Sequence, residues 1–218
     1  MTTPNRVSTD KTALILVDLQ NDFCPGGALA VPDGDTVIEL ANQLQKLPEF
    51  DLVVATQDWH PAGHKSFASE HPGRAIGEMA ELDGLPQVLW PDHCVERTDG
   101  ALFHPGLDIA RVDAVFRKGT DPSIDSYSGF FDNGHRKATG MGDWLKAQDV
   151  TAVVVMGLAT DYCVKFTALD AKQLGFDTRF VEDASRGVGL GPTDIADAVA
   201  SMRDAGVSVV QMTDLLNV

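Results

Sequence analysis

Cys163 lies in GLATDYCVKF, directly after the most apolar run of the chain, Thr151–Met156. A cysteine in the first turn of a helix that follows a buried strand meets the positive end of the helix dipole and unpaired backbone N–H groups. Both favour the nucleophilic thiolate, and the same N–H groups can hold a developing oxyanion. The competing reading is an inert, buried small hydrophobe. Three other apolar runs also end in reactive side chains. Asp18 follows LILV, where partial desolvation would raise a carboxyl pKa and make a usable base, although a turn residue would suit the place too. Lys118 closes VFRK; beside Asp18 and Cys163 it would fix the carboxylate and favour the thiolate, and alone it reads as a solvated strand-end lysine. In Asp58-Trp59-His60, residues i and i+2 of an extended segment point the same way and can converge on one ion.

His93, in LWPDHCV, would complete a two-imidazole, one-carboxylate set that leaves positions open for water or substrate. Zn2+ is the common occupant of such a set, and Fe2+ or Mn2+ also fits. His64 is a candidate for a further place in the metal shell, or a hydrogen-bond neighbour of His60; His71, His104 and His135 have no partner at a telling spacing. Phe23, Trp90 and Tyr127 fall near these groups and suit a flat apolar ring, or serve as loop anchors. Cys94, next to His93, and Cys24, in FCPGG, are rival nucleophiles that lack a free base.

Short β-branched runs alternate with helical patterns. Strands are expected at Ala13–Val17, Leu52–Thr56, Ala114–Arg117, Thr151–Met156, Thr178–Val181 and Val207–Gln211. Helices are expected at Val37–Gln45, Gly142–Gln148, Thr160–Leu174 and Thr193–Ala205, with Gly175 and Gly206 as stop signals after the last two. The alternation implies an α/β fold: a doubly wound, mostly parallel six-stranded sheet with helices on both faces. In such folds ligands sit at the carboxyl ends of the strands, which is where the reactive residues cluster. Residues 59–110 show no clear strand but hold five histidines, and read as an insertion after the second strand that carries metal and pocket residues. Residues 1–10 read as a flexible tail on one domain spanning 1–218.

The 218 residues carry a formal net charge of −15, which argues against nucleic acid and anionic membranes as partners. Three scattered cysteines make no disulfide framework. MTTPNRVSTDK has no signal-peptide pattern, and no apolar run is long enough to span a bilayer, so a cytoplasmic location is expected. A homo-oligomer is expected from the base rate for soluble enzymes.

The stretches LILVDLQNDFCPGGALAV, VVATQDWHPAGHKSF, LWPDHCVERTDGA, FRKGTDPSIDSYSGFFDN and VMGLATDYCVKFTALDA resemble the nicotinamidases of the isochorismatase-like cysteine hydrolase superfamily almost end to end. The resemblance implies a metal-containing amidohydrolase. It would convert nicotinamide to nicotinate and ammonia through a cysteine thioester, in NAD salvage, and would accept pyrazinamide as well. It places a catalytic aspartate, lysine and cysteine at Asp18, Lys118 and Cys163, and metal ligands at Asp58, His60 and His93. Phe23, Trp90, Tyr127 and Tyr162 fall where the pyridine pocket is lined, with Gln20 beside it. It implies an oxyanion hole from the N–H groups of Ala159 and Cys163, and a cis Leu158–Ala159 peptide. Other readings are hydrolysis of carbamoyl or ureido amides, attack by a metal-bound hydroxide, and a binding protein without turnover.

Overall fold

The computed structural model describes residues 11–216, so the expected tail at 1–10 lies outside the described residues. Eight strands form in order: β1 (Lys11–Val17), β2 (Leu52–Asp58), β3 (Met79–Leu82), β4 (Leu85–Val88), β5 (Ala114–Lys118), β6 (Val150–Leu158), β7 (Asp177–Arg186) and β8 (Ser208–Val210). Six of them make one parallel sheet in the order β5-β2-β1-β6-β7-β8. Five α-helices are α1 (Thr36–Leu44), α2 (Met141–Ala147), α3 (Lys165–Gln173), α4 (Asp194–Asp204) and α5 (Met212–Leu216).

The period-two alternation of a strand decides which helix packs where. Leu14 and Leu16 of β1 face a core shared with Val37 and Leu44 of α1 and Leu215 of α5. Ala13, Ile15 and Val17 face the opposite core, with Leu145 of α2, Ala168 of α3 and Met202 of α4. Both faces of the sheet are thus covered, as continuous apolar strands require. Winding outward from the centre, the chain lays β2 and β5 on one side of β1 and places β6, β7 and β8 on the other. The crevice where strand order reverses therefore opens between β1 and β6. Gly157 permits the close approach there: with φ at +125°, a Cβ would stand 2.3 Å from the Val17 carbonyl.

Two local expectations need correction. The expected strandless stretch 59–110 contains the antiparallel hairpin β3–β4, separate from the main sheet. Its turn, Asp83-Gly84, has positive φ at both residues, the pairing that a tight hairpin favours. The helix expected from Thr160 begins as a π-helical turn at Thr160–Val164 and becomes α-helical only at Lys165. Such turns widen the backbone locally and are frequent at functional sites.

Candidate active site

Lys118 ends β5 directly opposite Asp58, which ends β2, because the two are partners in the parallel register. Its ammonium is fully buried and donates to Asp58 Oδ1 at 3.0 Å, to the Ser126 carbonyl at 3.1 Å and to Cys163 Sγ at 3.3 Å. Asp18 Oδ2 stands 2.8 Å away as an ion-pair contact rather than an aligned hydrogen bond. Burial alone would neutralise the lysine, but Asp18 and Asp58 outweigh it and hold its pKa well above the usual value.

Asp18 leaves β1 with φ at +49°, a left-handed turn that Asp tolerates better than most residues and that swings its carboxylate under the sheet edge. Thr56 steadies it from both sides: the threonine hydroxyl donates to Asp18 Oδ1 at 2.6 Å and accepts from the Asp18 N–H at 3.2 Å. Burial pushes the carboxyl pKa up, against the pull of Lys118. Asp18 is therefore a stronger base than a surface aspartate.

Cys163 sits in the π-helical turn, 7% exposed. Burial, with help from Asp18 and Asp58, pushes the thiol well above its usual pKa, although Lys118 pulls the other way. The thiol proton thus needs an acceptor, and Asp18 is the neighbouring base. The Leu158–Ala159 peptide is cis, as expected. What sets Cys163 apart from the rival thiols is the hydrogen bond that its sulfur accepts from Lys118 Nζ at 3.3 Å, since burial raises all three: it pushes Cys24 up to about 11 and Cys94 well above its usual value.

Asp58, His60 and His93 converge as a group able to hold a metal ion. His60 Nδ1 meets the Gly119 carbonyl at 2.9 Å, and His93 Nδ1 meets the Pro91 carbonyl at 2.8 Å. Each ring thereby keeps its proton on Nδ1 and turns the Nε2 lone pair inward. Asp58 Oδ2 lies 3.1 Å from one Nε2 and 3.5 Å from the other, and buried His60 Nε2 has no hydrogen-bond partner. Lone pairs facing one another in a dry pocket need a cation between them, so the residues fit a divalent ion. Without an ion, Asp58 outweighs burial and raises the His60 pKa, so a proton competes for the same lone pair. Gly119 (φ +64°) is required here, because a Cβ would stand 2.4 Å from the His60 ring. His64 falls in a second group able to hold a metal ion, with His60 and Asp125: its ring lies tilted 4.4 Å from that of His60, its Nδ1 contacts Ser66 Oγ at 2.7 Å, and its buried Nε2 has no hydrogen-bond partner.

Three of the expected ring-pocket residues meet. Trp90 and Tyr162 pack edge to face at 4.8 Å, Tyr127 and Tyr162 at 5.3 Å, and Trp90 Nε1 donates to the Tyr127 hydroxyl at 3.2 Å. Phe23 borders the opposite side, 5.6 Å from the His93 ring. Gln20, expected beside the site, has a carboxamide that accepts from the Asp58 N–H at 2.7 Å and donates to the carbonyls of Asp58 and Ala101 at 2.8 and 2.9 Å, which fixes the peptide of Asp58. Thr56, Asp125, Ser126 and Gln87 also shape the site. Thr56, Asp125 and Ser126 lie within the resembling stretches but carry no reactive spacing of their own, and Gln87 lies outside them; strand register could have pointed to Thr56, two residues before Asp58 on β2.

Residues 12–214 match the model of the isochorismatase domain family. A nicotinamidase of Escherichia coli strain K12 is 52% identical over 204 residues, 93% of this chain and 95% of that protein. The solved structure of a nicotinamidase–pyrazinamidase of Acinetobacter baumanii superposes with a TM-score of 0.91 at 47% identity, over 95% of this chain and 99% of that one. A pyrazinamidase of Pyrococcus horikoshii, solved in complex with zinc, gives a TM-score of 0.73 at 38% identity, over 92% and 99% of the two chains. The chain belongs to the isochorismatase-like hydrolase family.

Proposed function

We propose that this protein is a nicotinamidase that hydrolyses nicotinamide to nicotinate and ammonia, and pyrazinamide likewise, in NAD salvage. The observation that carries the reading is the buried Lys118 ammonium, which touches Asp58 on the metal side of the site and Cys163 on the nucleophile side. The ring of the substrate lies among Phe23, Trp90, Tyr127 and Tyr162. A divalent ion held by Asp58, His60 and His93, with zinc favoured and Fe2+ or Mn2+ also fitting, would supply a Lewis-acid anchor for the ring nitrogen.

Asp18 takes the Cys163 proton, and the thiolate adds to the carboxamide carbon. The N–H groups of Ala159 and Cys163 receive the oxyanion. Asp18 returns the proton to nitrogen as the C–N bond breaks, and ammonia leaves a thioester. Asp18 then deprotonates a water molecule, whose attack frees nicotinate and the thiol. Lys118 stays charged throughout and holds the Asp18 carboxylate toward the sulfur.

Residues 1–218 act as one hydrolase domain in which the 59–110 segment supplies His60, Trp90 and His93. No helix among the described residues is long and apolar enough to cross a membrane. A cytoplasmic location and a homo-oligomer complete the proposal. The test is a substrate panel on metal-replete protein: nicotinamide, an N-carbamoyl amino acid and a ureido acid, with ammonia measured. Turnover of nicotinamide far above the others is expected. Preference for a carbamoyl or ureido compound would overturn the reading.

A further inference from the structure

We infer that Gln87 is a positioning residue for the aromatic amide, an inference that rests on the nicotinamidase reading. Gln87 lies on β4 of the insertion hairpin and is 2% exposed, whereas Met79 on the partner strand is 54% exposed. A polar side chain turned fully inward from a small two-stranded hairpin needs partners. Gln87 Nε2 has three: the Val88 carbonyl at 2.8 Å, Asp125 Oδ2 at 3.1 Å and the Tyr127 hydroxyl at 3.0 Å. Two of these are pure acceptors, so the amide cannot be turned over to present its oxygen here. With two N–H hydrogens for three oxygens, one N–H is shared between two of them, and the Tyr127 oxygen, 3.0 Å away, is one of the three acceptors. The Trp90 indole, which has no acceptor, donates to the same oxygen at 3.2 Å. Tyr127 and Trp90, two walls of the ring pocket, are thus fixed relative to each other through one phenol oxygen, and Gln87 fixes that oxygen relative to the β3–β4 hairpin.

The backbone around these walls has independent support. Asn133 Oδ1 accepts from the Tyr127 N–H at 2.9 Å, and the Asn133 N–H donates to the Asp125 carbonyl at 2.8 Å. The hairpin itself is held at its tip, where Arg136 pairs with Asp83 and donates to the Asp83 carbonyl at 3.0 Å. Loss of the Gln87 carboxamide should consequently loosen the ring walls and leave both the fold and the Lys118–Cys163 contact in place.

The test compares wild type, Gln87→Met, Tyr127→Phe and the double variant on nicotinamide, with the rate of Cys163 alkylation by iodoacetamide as a readout of the nucleophile. Gln87→Met keeps length and volume but not the donor. A rise in KM of about tenfold is expected for it, with kcat within about threefold and Cys163 alkylation unchanged. Tyr127→Phe should raise KM similarly, and the double variant no further, because both remove one shared link. An unchanged KM in Gln87→Met, a parallel fall of kcat and alkylation, or additive effects in the double variant would overturn the inference while wild type still turns over. Wild type without turnover would overturn the nicotinamidase reading, and this inference with it.

Discussion

Asp58 and Lys118 are register partners across β2 and β5, and their side chains meet at 3.0 Å between Oδ1 and Nζ. The other carboxylate oxygen, Oδ2, faces His60 and His93. One strand pairing therefore joins the two halves of the site. Asp58 shares a single buried charge between the Lys118 ammonium and the His60 and His93 rings, and its pKa is held well below the usual range, because His60 and Lys118 outweigh the opposing effect of burial.

Two buried carboxylates, Asp18 and Asp58, depend on that one ammonium. Lys118→Met keeps the aliphatic stem and strands both charges. A loss of about 3–5 kcal/mol of stability is expected in metal-free protein, as for breaking a buried ion pair. Turnover should fall by at least about 10³-fold. Urea unfolding and ammonia release measure the two; retention of both would refute the pairing.

Thr56→Val keeps shape and removes the hydroxyl that donates to Asp18 Oδ1 at 2.6 Å. That bond favours the charged carboxylate and lowers the pKa, so its loss should raise the Asp18 pKa further. A base works only when deprotonated, so the acid limb of the kcat/KM profile should move to higher pH. A limb that stays put would mean that another group sets it.

The Cys163 thiol is held well above its usual pKa chiefly by burial. Below the pKa, the thiolate fraction grows about tenfold per pH unit. Alkylation of Cys163 by iodoacetamide in chelated protein, followed by peptide mass mapping, should therefore keep rising from about pH 6 to about pH 9. A plateau near neutral pH would show a resting thiolate.

Two overlapping groups could hold the ion, Asp58–His60–His93 and His60–His64–Asp125; with the ion assigned to the first, His64→Gln should keep the metal-to-protein ratio of wild type. His93→Ala should lose most of it. Plasma mass spectrometry of dialysed protein reads both. Metal loss in His64→Gln would place that ring in the ligand shell.

The central strands were legible because β1, β2 and β6 are buried on both faces and read as unbroken apolar runs, for example ALILV before Asp18. Their carboxyl ends pointed to Asp18, Asp58 and the segment of Cys163, and that of β5 to Lys118. The hairpin β3–β4 was missed although Asp83-Gly84 is a strong turn signal; its flanking strands are four residues each, and Pro86 weakens one. Gln87 carries no motif at all, since only tertiary packing brings it to Tyr127 and Asp125. At Cys163 helix-terminus electrostatics favour a thiolate, whereas burial, which no motif reports, pushes the thiol pKa up. Gln20 sits beside the site in sequence and in space, yet its carboxamide is fully engaged by the backbone around Asp58.

The most direct measurement is ammonia release from nicotinamide by metal-replete wild type and by Cys163→Ala, whose buried site should tolerate the smaller side chain. Covalent catalysis at Cys163 requires release by wild type and a fall of at least about 10³-fold in the variant, with metal content unchanged. Comparable release by both proteins would contradict it and point to an activated water as the nucleophile.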